Sequence, residues 1–185
     1  MWYVVILLKL LIKIMSKLLV LIGPSGSGKS TFARKMAEEK MKQGEDVIIV
    51  GRDKLREMMF GYSEATVKEH YKAEDLGIRE YKVSEVQDTI IRQAIREGKT
   101  VIVDNTHLKK SYITSLGNYN VEVECILVET SMEECIKRDS ERERSVGKEV
   151  IIKQFKQLSS LKNNFDFKIE NFKVEKLEKI ENFNF

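Results

Sequence analysis

Hydrophobic positions along the chain follow two rhythms. Short apolar-rich runs, of which Leu18–Ile22 (LLVLI) is unbroken and Asp46–Val50 (DVIIV), Thr100–Val103 (TVIV) and Val121–Val128 (VEVECILV) carry one or two polar residues, alternate with stretches in which apolar residues recur every three or four positions. The first pattern predicts strands covered on both faces, the second amphipathic helices. Lys29–Gln43 reads as a helix with Phe32, Met36 and Ala37 on one face and Gly44 as its stop. A short helix is predicted over Lys54–Phe60. A longer one should start at a capping box, Ser84 with Gln87, and continue through Val86, Ile90, Ile91, Ala94 and Ile95 to Gly98. A second capping box, Ser131 with Glu134, opens a helix through Arg138, and Glu149–Leu161 is amphipathic through Val150, Ile151, Phe155 and Leu158. Gly61–Lys82 has no clean period and reads as an irregular or lightly helical excursion, and the tail around Phe165–Val174 suggests a fifth strand. Strands alternating with helices imply a three-layer α/β fold around a parallel sheet of four to five strands with right-handed crossovers.

Composition narrows this only a little. The chain has 185 residues, 42% hydrophobic and 33% charged, with both signs interspersed and a net charge of +3. That length suits one domain, expected over residues 16–185. The small positive excess permits an anionic ligand but is too small for a large static nucleic-acid footprint. Two cysteines, Cys125 and Cys135, are too few and too far apart for a disulfide framework or zinc site, which points to a reducing, cytoplasmic setting. Residues 1–15 stand apart: Trp2–Ile14 are apolar except for Lys9 and Lys13. Such a run is short of the about 20 apolar residues a membrane span needs and lacks a secretory cleavage pattern. The reading favoured is an extra segment outside the fold, with Met15 as the natural start. A peripheral membrane anchor is the alternative, and no stable membrane partner is expected.

The chemistry enters at the end of the first predicted strand. Gly23–Thr31 reads GPSGSGKST, satisfying G-x-x-x-x-G-K-[ST] between a strand and a helix. Glycines allow a tight turn whose N–H groups converge on phosphate oxygens, helped by the positive end of the following helix. Gly23, Ser25, Gly26, Ser27, Gly28, Lys29, Ser30 and Thr31 therefore form the candidate ATP cradle. Lys29 is expected to reach the β and γ phosphates, and Ser30 to join a Mg²⁺ shell. No N-K-x-D segment of the guanine-reading type occurs. Ligands of open α/β sheets sit at the carboxyl ends of the strands, so the polar residues after strands two and three are the next candidates. Asp53 is placed to accept a proton from an attacking hydroxyl, or alternatively to cap a helix; Arg56, one turn on, is placed to hold a substrate phosphate. Asp104 occupies the position of a carboxylate able to hold Mg²⁺ through water beside Ser30, while Asn105 and Thr106 are candidate substrate contacts. His107 reads as a surface residue. Arg138 and Arg142, four apart with Gly147 downstream, look like a lid whose arginines close on ATP, although Glu134 and Arg138 also suit an ordinary surface ion pair.

Together, GPSGSGKST at Gly23, GRDKLR at Gly51, VIVDNTHL at Val101 and RDSER at Arg138 resemble the kinase domain of the polynucleotide 5′-hydroxyl kinase family over about Lys17–Leu161. The resemblance implies a nucleoside-kinase-like P-loop fold with a lid, ATP and Mg²⁺ as cofactors, and 5′-hydroxyl ends of DNA or RNA as acceptor. It implies Asp53 as general base, Arg56 as the contact to the substrate phosphate, Asn105 and Thr106 as the acceptor-site polar pair, and Arg138 and Arg142 as lid arginines. The family's D-x-D-x-T phosphatase signature is absent from this sequence, and Lys109-Lys110-Ser111 stands where relatives often carry Pro and Arg. A small-molecule kinase on the same scaffold, and an ATP-binding switch without phosphotransfer, are the competing readings. Neither DNA versus RNA preference nor oligomeric state is legible.

Overall fold

The computed structural model describes residues 16–62, 67–164 and 172–177, with the backbone alone for residues 67–69 and 172–177. The expectations for residues 1–15 lie outside these.

Five strands, β1 (Lys17–Ile22), β2 (Val47–Val50), β3 (Thr100–Val103), β4 (Glu122–Val128) and β5 (Phe172–Leu177), form one parallel sheet in the order β2-β3-β1-β4-β5. β1 pairs with β3 through Leu18 opposite Val101 and with β4 through Lys17 opposite Glu122. That central place explains its sequence. Leu18, Val20 and Ile22 enter one core layer, with Val101, Val103, Ile113 and Leu158 among others, while Leu19 and Leu21 enter the other with Ala33, Ala37 and Ile102. A strand buried on both sides has no polar face, hence the unbroken run.

Helices α1 (Lys29–Lys42), α2 (Arg52–Phe60), α3 (Val67–Lys72), α4 (Leu76–Arg96), α5 (Lys110–Thr114), α6 (Met132–Glu141) and α7 (Lys148–Asn164) supply the crossovers and flanking layers, with a 3₁₀ turn at Ser115–Tyr119. α1 lays the small side chains of Ala33 and Ala37 on the sheet, with Phe32 and Met36 half-buried beside them. The second capping box starts its helix as expected through Ser131, whose hydroxyl accepts from the Glu134 N–H at 3.2 Å, while the Glu134 carboxylate accepts from Arg138.

The first does not. α4 begins at Leu76, two turns before Ser84, whose hydroxyl instead donates to the Glu80 carbonyl at 2.9 Å and accepts from Arg52 Nη1 at 2.7 Å. The Gly61–Lys82 stretch, read as irregular or lightly helical, thus carries α3 and the start of α4. α6 ends at Glu141, and Arg142 adopts extended geometry, so Arg138 and Arg142 do not share a helical face. The fifth strand lies at Phe172–Leu177, a little later in the chain than the pattern suggested.

Candidate active site

β1 ends at the centre of the sheet, so the loop that follows opens between the carboxyl ends of β3 and β4. The turn is left-handed at Gly26 (φ 80°) and Gly28 (φ 94°). A β-carbon on Gly26 would collide with the carbonyl of Cys135 in α6, so shape and conformation both demand glycine there. α6 and α7 back the loop from behind: Thr130 Oγ1 donates to the Ser27 carbonyl at 2.9 Å, and the Ser25 N–H donates to Gln154 Oε1 at 2.7 Å.

Inside the cradle Lys29 is buried, its Nζ donating to the Pro24 carbonyl at 2.6 Å and lying 3.4 Å from Ser27 Oγ. Burial pushes its ammonium down to about 8, against the attraction of Asp104, Cys135 and Asp53, with Arg142 adding to the depression. A buried ammonium bonded only to neutral oxygens is an anion-seeking group, and it stands among left-handed glycines at the head of α1, where helix N–H groups are available to an anion. The residues present therefore fit a triphosphate. Ser30, exposed at the head of α1, and Asp104, half-buried at the end of β3, would hold its Mg²⁺.

The segment after β3 ties the strand ends together. The Asp104 N–H donates to the Val50 carbonyl at 2.9 Å, and Thr106 accepts from the Gly23 N–H at 3.1 Å through its backbone carbonyl. The Asn105 side chain accepts from the Arg52 N–H at 2.9 Å and so caps α2, the role considered for Asp53. His107 is not on the surface: it is buried, with φ 46°, and its Nδ1–H donates to the Leu21 carbonyl at 2.9 Å. Burial pushes this imidazole down to about 4. Nothing in the one-dimensional pattern distinguishes a histidine that clamps the cradle strand from an exposed one.

On the other flank, Asp53 stands in the first turn of α2, with its side chain 61% exposed and making no helix cap. Its Oδ1 accepts from Arg56 Nη1 at 2.7 Å and from Arg144 Nη2 at 2.8 Å. Arg56 is itself buried, its Nε and Nη2 donating to the two oxygens of Glu80 at 2.8 and 2.7 Å. Glu80 also receives Arg52 Nη2 at 2.7 Å and His70 Nε2 at 2.6 Å. Burial alone would raise the Glu80 carboxyl, but the bonds from Arg56, Arg52 and His70 hold it well below the usual range. For Arg56, burial is likewise outweighed by Glu80, and the guanidinium is held above its ordinary value. Sequence reading missed Glu80 because it sits in the stretch without a clean period; its only signal was an acidic residue among arginines.

The two expected lid arginines part company, and a third arginine, Arg144, joins the lid. The Arg138 guanidinium lies against the cradle, Nη1 3.6 Å from where a Gly28 β-carbon would stand, while its Nε donates to Glu134 Oε1 at 2.7 Å. Arg142 turns back onto Asp139, its Nε donating to Oδ1 at 2.8 Å. Asp139, almost wholly buried, also accepts from Ser145 Oγ at 2.7 Å, from the Val146 N–H at 3.2 Å and from the Gly147 N–H at 2.9 Å. The lid is therefore a loop wound on a buried carboxylate. The arginine that reaches the acceptor side is Arg144.

A parallel sheet whose central strand feeds a glycine cradle with a buried lysine defines a P-loop nucleotide-binding fold. The chain belongs to the AAA domain family, whose model matches residues 18–163. It is 26% identical over 168 residues to an L-seryl-tRNA(Sec) kinase of Methanococcus maripaludis, covering 89% of this chain and 61% of that one. It is also 26% identical over 160 residues to a protein assigned as a bifunctional polynucleotide kinase/RNA ligase of Autographa californica nuclear polyhedrosis virus, covering 82% of this chain and 22% of the viral one. Among solved structures it is similar to a Pnkp1/Rnl/Hen1 complex, with TM-score 0.53 and 25% identity over 66% of this chain and 38% of that one. The chain thus spans less than two thirds of each of these relatives. Among the described residues, no helix is long and apolar enough to cross a membrane.

Proposed function

We propose that residues 16–185 form one domain that transfers the γ-phosphoryl of Mg·ATP to a 5′-hydroxyl end of DNA or RNA. The observation that carries this reading is Asp53, an exposed carboxylate near enough to Lys29 to act on its charge and fixed on the acceptor flank by two arginines. An ATP-binding switch has no need of a carboxylate so held. The viral and Pnkp1-containing relatives support a polynucleotide acceptor.

Phosphoryl transfer through a loose transition state depends mainly on alignment and charge neutralisation, with proton acceptance late and modest. Asp53 accepts the hydroxyl proton on its second oxygen. Arg56, braced by Glu80, keeps N–H groups for the first phosphate of the acceptor strand. Lys29 and Arg138 draw charge from the transferred group, with Arg142 joining if it leaves Asp139. Ser30 and Asp104 would hold Mg²⁺, which would supply charge neutralisation to the phosphates. Asn105 and Thr106 contribute chiefly through the backbone they pin.

The tRNA-kinase relative favours a second acceptor, a hydroxyl on an aminoacyl group carried by RNA. Radiolabelled ATP offered to 5′-hydroxyl DNA and RNA oligonucleotides, seryl-tRNA and a panel of small alcohols separates these readings. Label on the oligonucleotides is expected; label confined to seryl-tRNA or a metabolite would replace the proposed acceptor. Asp53→Asn should cut transfer by at least about a hundredfold, the size of a lost general base, with ATP affinity nearly unchanged. Full activity in that variant would remove Asp53 from the mechanism.

A further inference from the structure

Arg144 lies outside the arginine pair read from the sequence, in a polar stretch with no secondary-structure signal. Yet its side chain is only 17% exposed, whereas that of Arg142, two residues earlier, is 40% exposed. The cause is its partner: it crosses from the lid to Asp53, 91 residues away, and donates to Oδ1 at 2.8 Å. Arg56, one turn along α2, donates to the same oxygen at 2.7 Å. No described group bonds Oδ2.

We infer that Arg144 is a positioning residue that makes the acceptor-side carboxylate part of the lid. Two guanidiniums on one oxygen fix the rotation of the Asp53 side chain and leave its other oxygen directed away from both. Arg56 cannot do this alone, because it follows Glu80: its Nε and Nη2 are held there, and only Nη1 reaches Asp53. Arg144 stands on a separate support, the loop wound on Asp139 through Ser145, Val146 and Gly147. The carboxylate is therefore held between two independently anchored arms, and its placement depends on the lid being formed. A lid that has not closed leaves Asp53 with one arm and free to turn.

This rests on Asp53 acting as the base, so the test has an arm that does not. In the nucleotide-free protein, hydrogen exchange over residues 139–147 is followed for wild type, Arg144→Ala and Asp53→Asn. Both variants should exchange several times faster there, to a similar extent, with melting temperatures within a degree or two of wild type; unchanged exchange in both overturns the inference. In steady-state phosphotransfer with a 5′-hydroxyl oligonucleotide, Arg144→Ala should lose about tenfold in kcat while KM for ATP stays within about twofold, and Arg144→Lys should recover part of the loss. A wild-type or raised kcat in Arg144→Ala, with Asp53→Asn inactive, overturns the positioning role and leaves the proposed function standing. Activity surviving in Asp53→Asn removes Asp53 as the base instead, and the exchange result alone then judges the contact; absence of label on the oligonucleotide with the wild type is what would refute the proposed function.

Discussion

Lys29 carries the largest electrostatic stress in the cradle. Its ammonium titrates near 8 in the folded protein against 10.5 ordinarily, so between those values the unfolded chain binds the extra proton. Below pH 8 the charged lysine therefore costs stability, and the cost fades as the pH rises toward 10.5. Lys29→Met should raise the stability of the nucleotide-free protein by about 1 to 3 kcal/mol at pH 7, measured by urea unfolding. It should also abolish the rise in melting temperature that ATP gives the wild type. An arriving triphosphate restores the proton affinity that burial removed, so ATP binding near pH 8 should take up a proton. Calorimetry in buffers of different ionisation heat would read this as a buffer-dependent enthalpy. At this scale the cradle residues were legible because their chemistry is local, each within a few positions of the next. Glu80, His107 and Arg144 were not, because each is defined by a partner far along the chain, at Arg56, Leu21 and Asp53.

Among the elements, strands β1 and β3 and the backbone of the cradle could be read off directly, since burial on both faces leaves an unmistakable apolar run. The start of α4 could not. Its first two turns carry Gly77 and an exposed Ile78 and spend Glu80 on ion pairs, so the apolar spacing begins only at Val83. The lid was expected to be a mobile polar stretch, but Asp139 gives it an internal frame. Replacing Asp139 with Ala removes the acceptor for two backbone N–H groups, a hydroxyl and a guanidinium. The expected loss is about 2 to 4 kcal/mol, because buried donors are left unsatisfied. Chemical denaturation would measure it, and amide exchange should accelerate at 145–147 while β1 and β3 stay protected. KM for ATP should rise, since Arg138 leaves the same helix end.

For the molecule as a whole, the buried His107 and the half-buried Glu80 both contribute to the response to acid, beside the buried Asp139. His107 is neutral in the fold, with its proton affinity dropped from 6.5 to about 4. The unfolded chain binds the extra proton between those values, so stability is full above about 6.5 and falls as the pH drops toward 4. At about 1.4 kcal/mol per tenfold change in affinity, the loss is at most about 3.5 kcal/mol. Glu80, held below its ordinary 4.5 by Arg56, Arg52 and His70, adds a second decline beneath that value, where the unfolded chain takes up a proton that the folded carboxylate does not. Unfolding free energy from pH 7.5 down to 3.5 should therefore fall in two stages, and His107→Asn, which tolerates the left-handed backbone, should remove the first. The closeness of Gly26 to Cys135 reaches further. Burial pushes that thiol up to about 11 and no part of its side chain meets solvent, so a thiol reagent can reach it only when the cradle and α6 come apart. With Cys125 replaced by Ser, the rate of Cys135 modification would clock the breathing of the donor site, and a bound triphosphate would slow that clock.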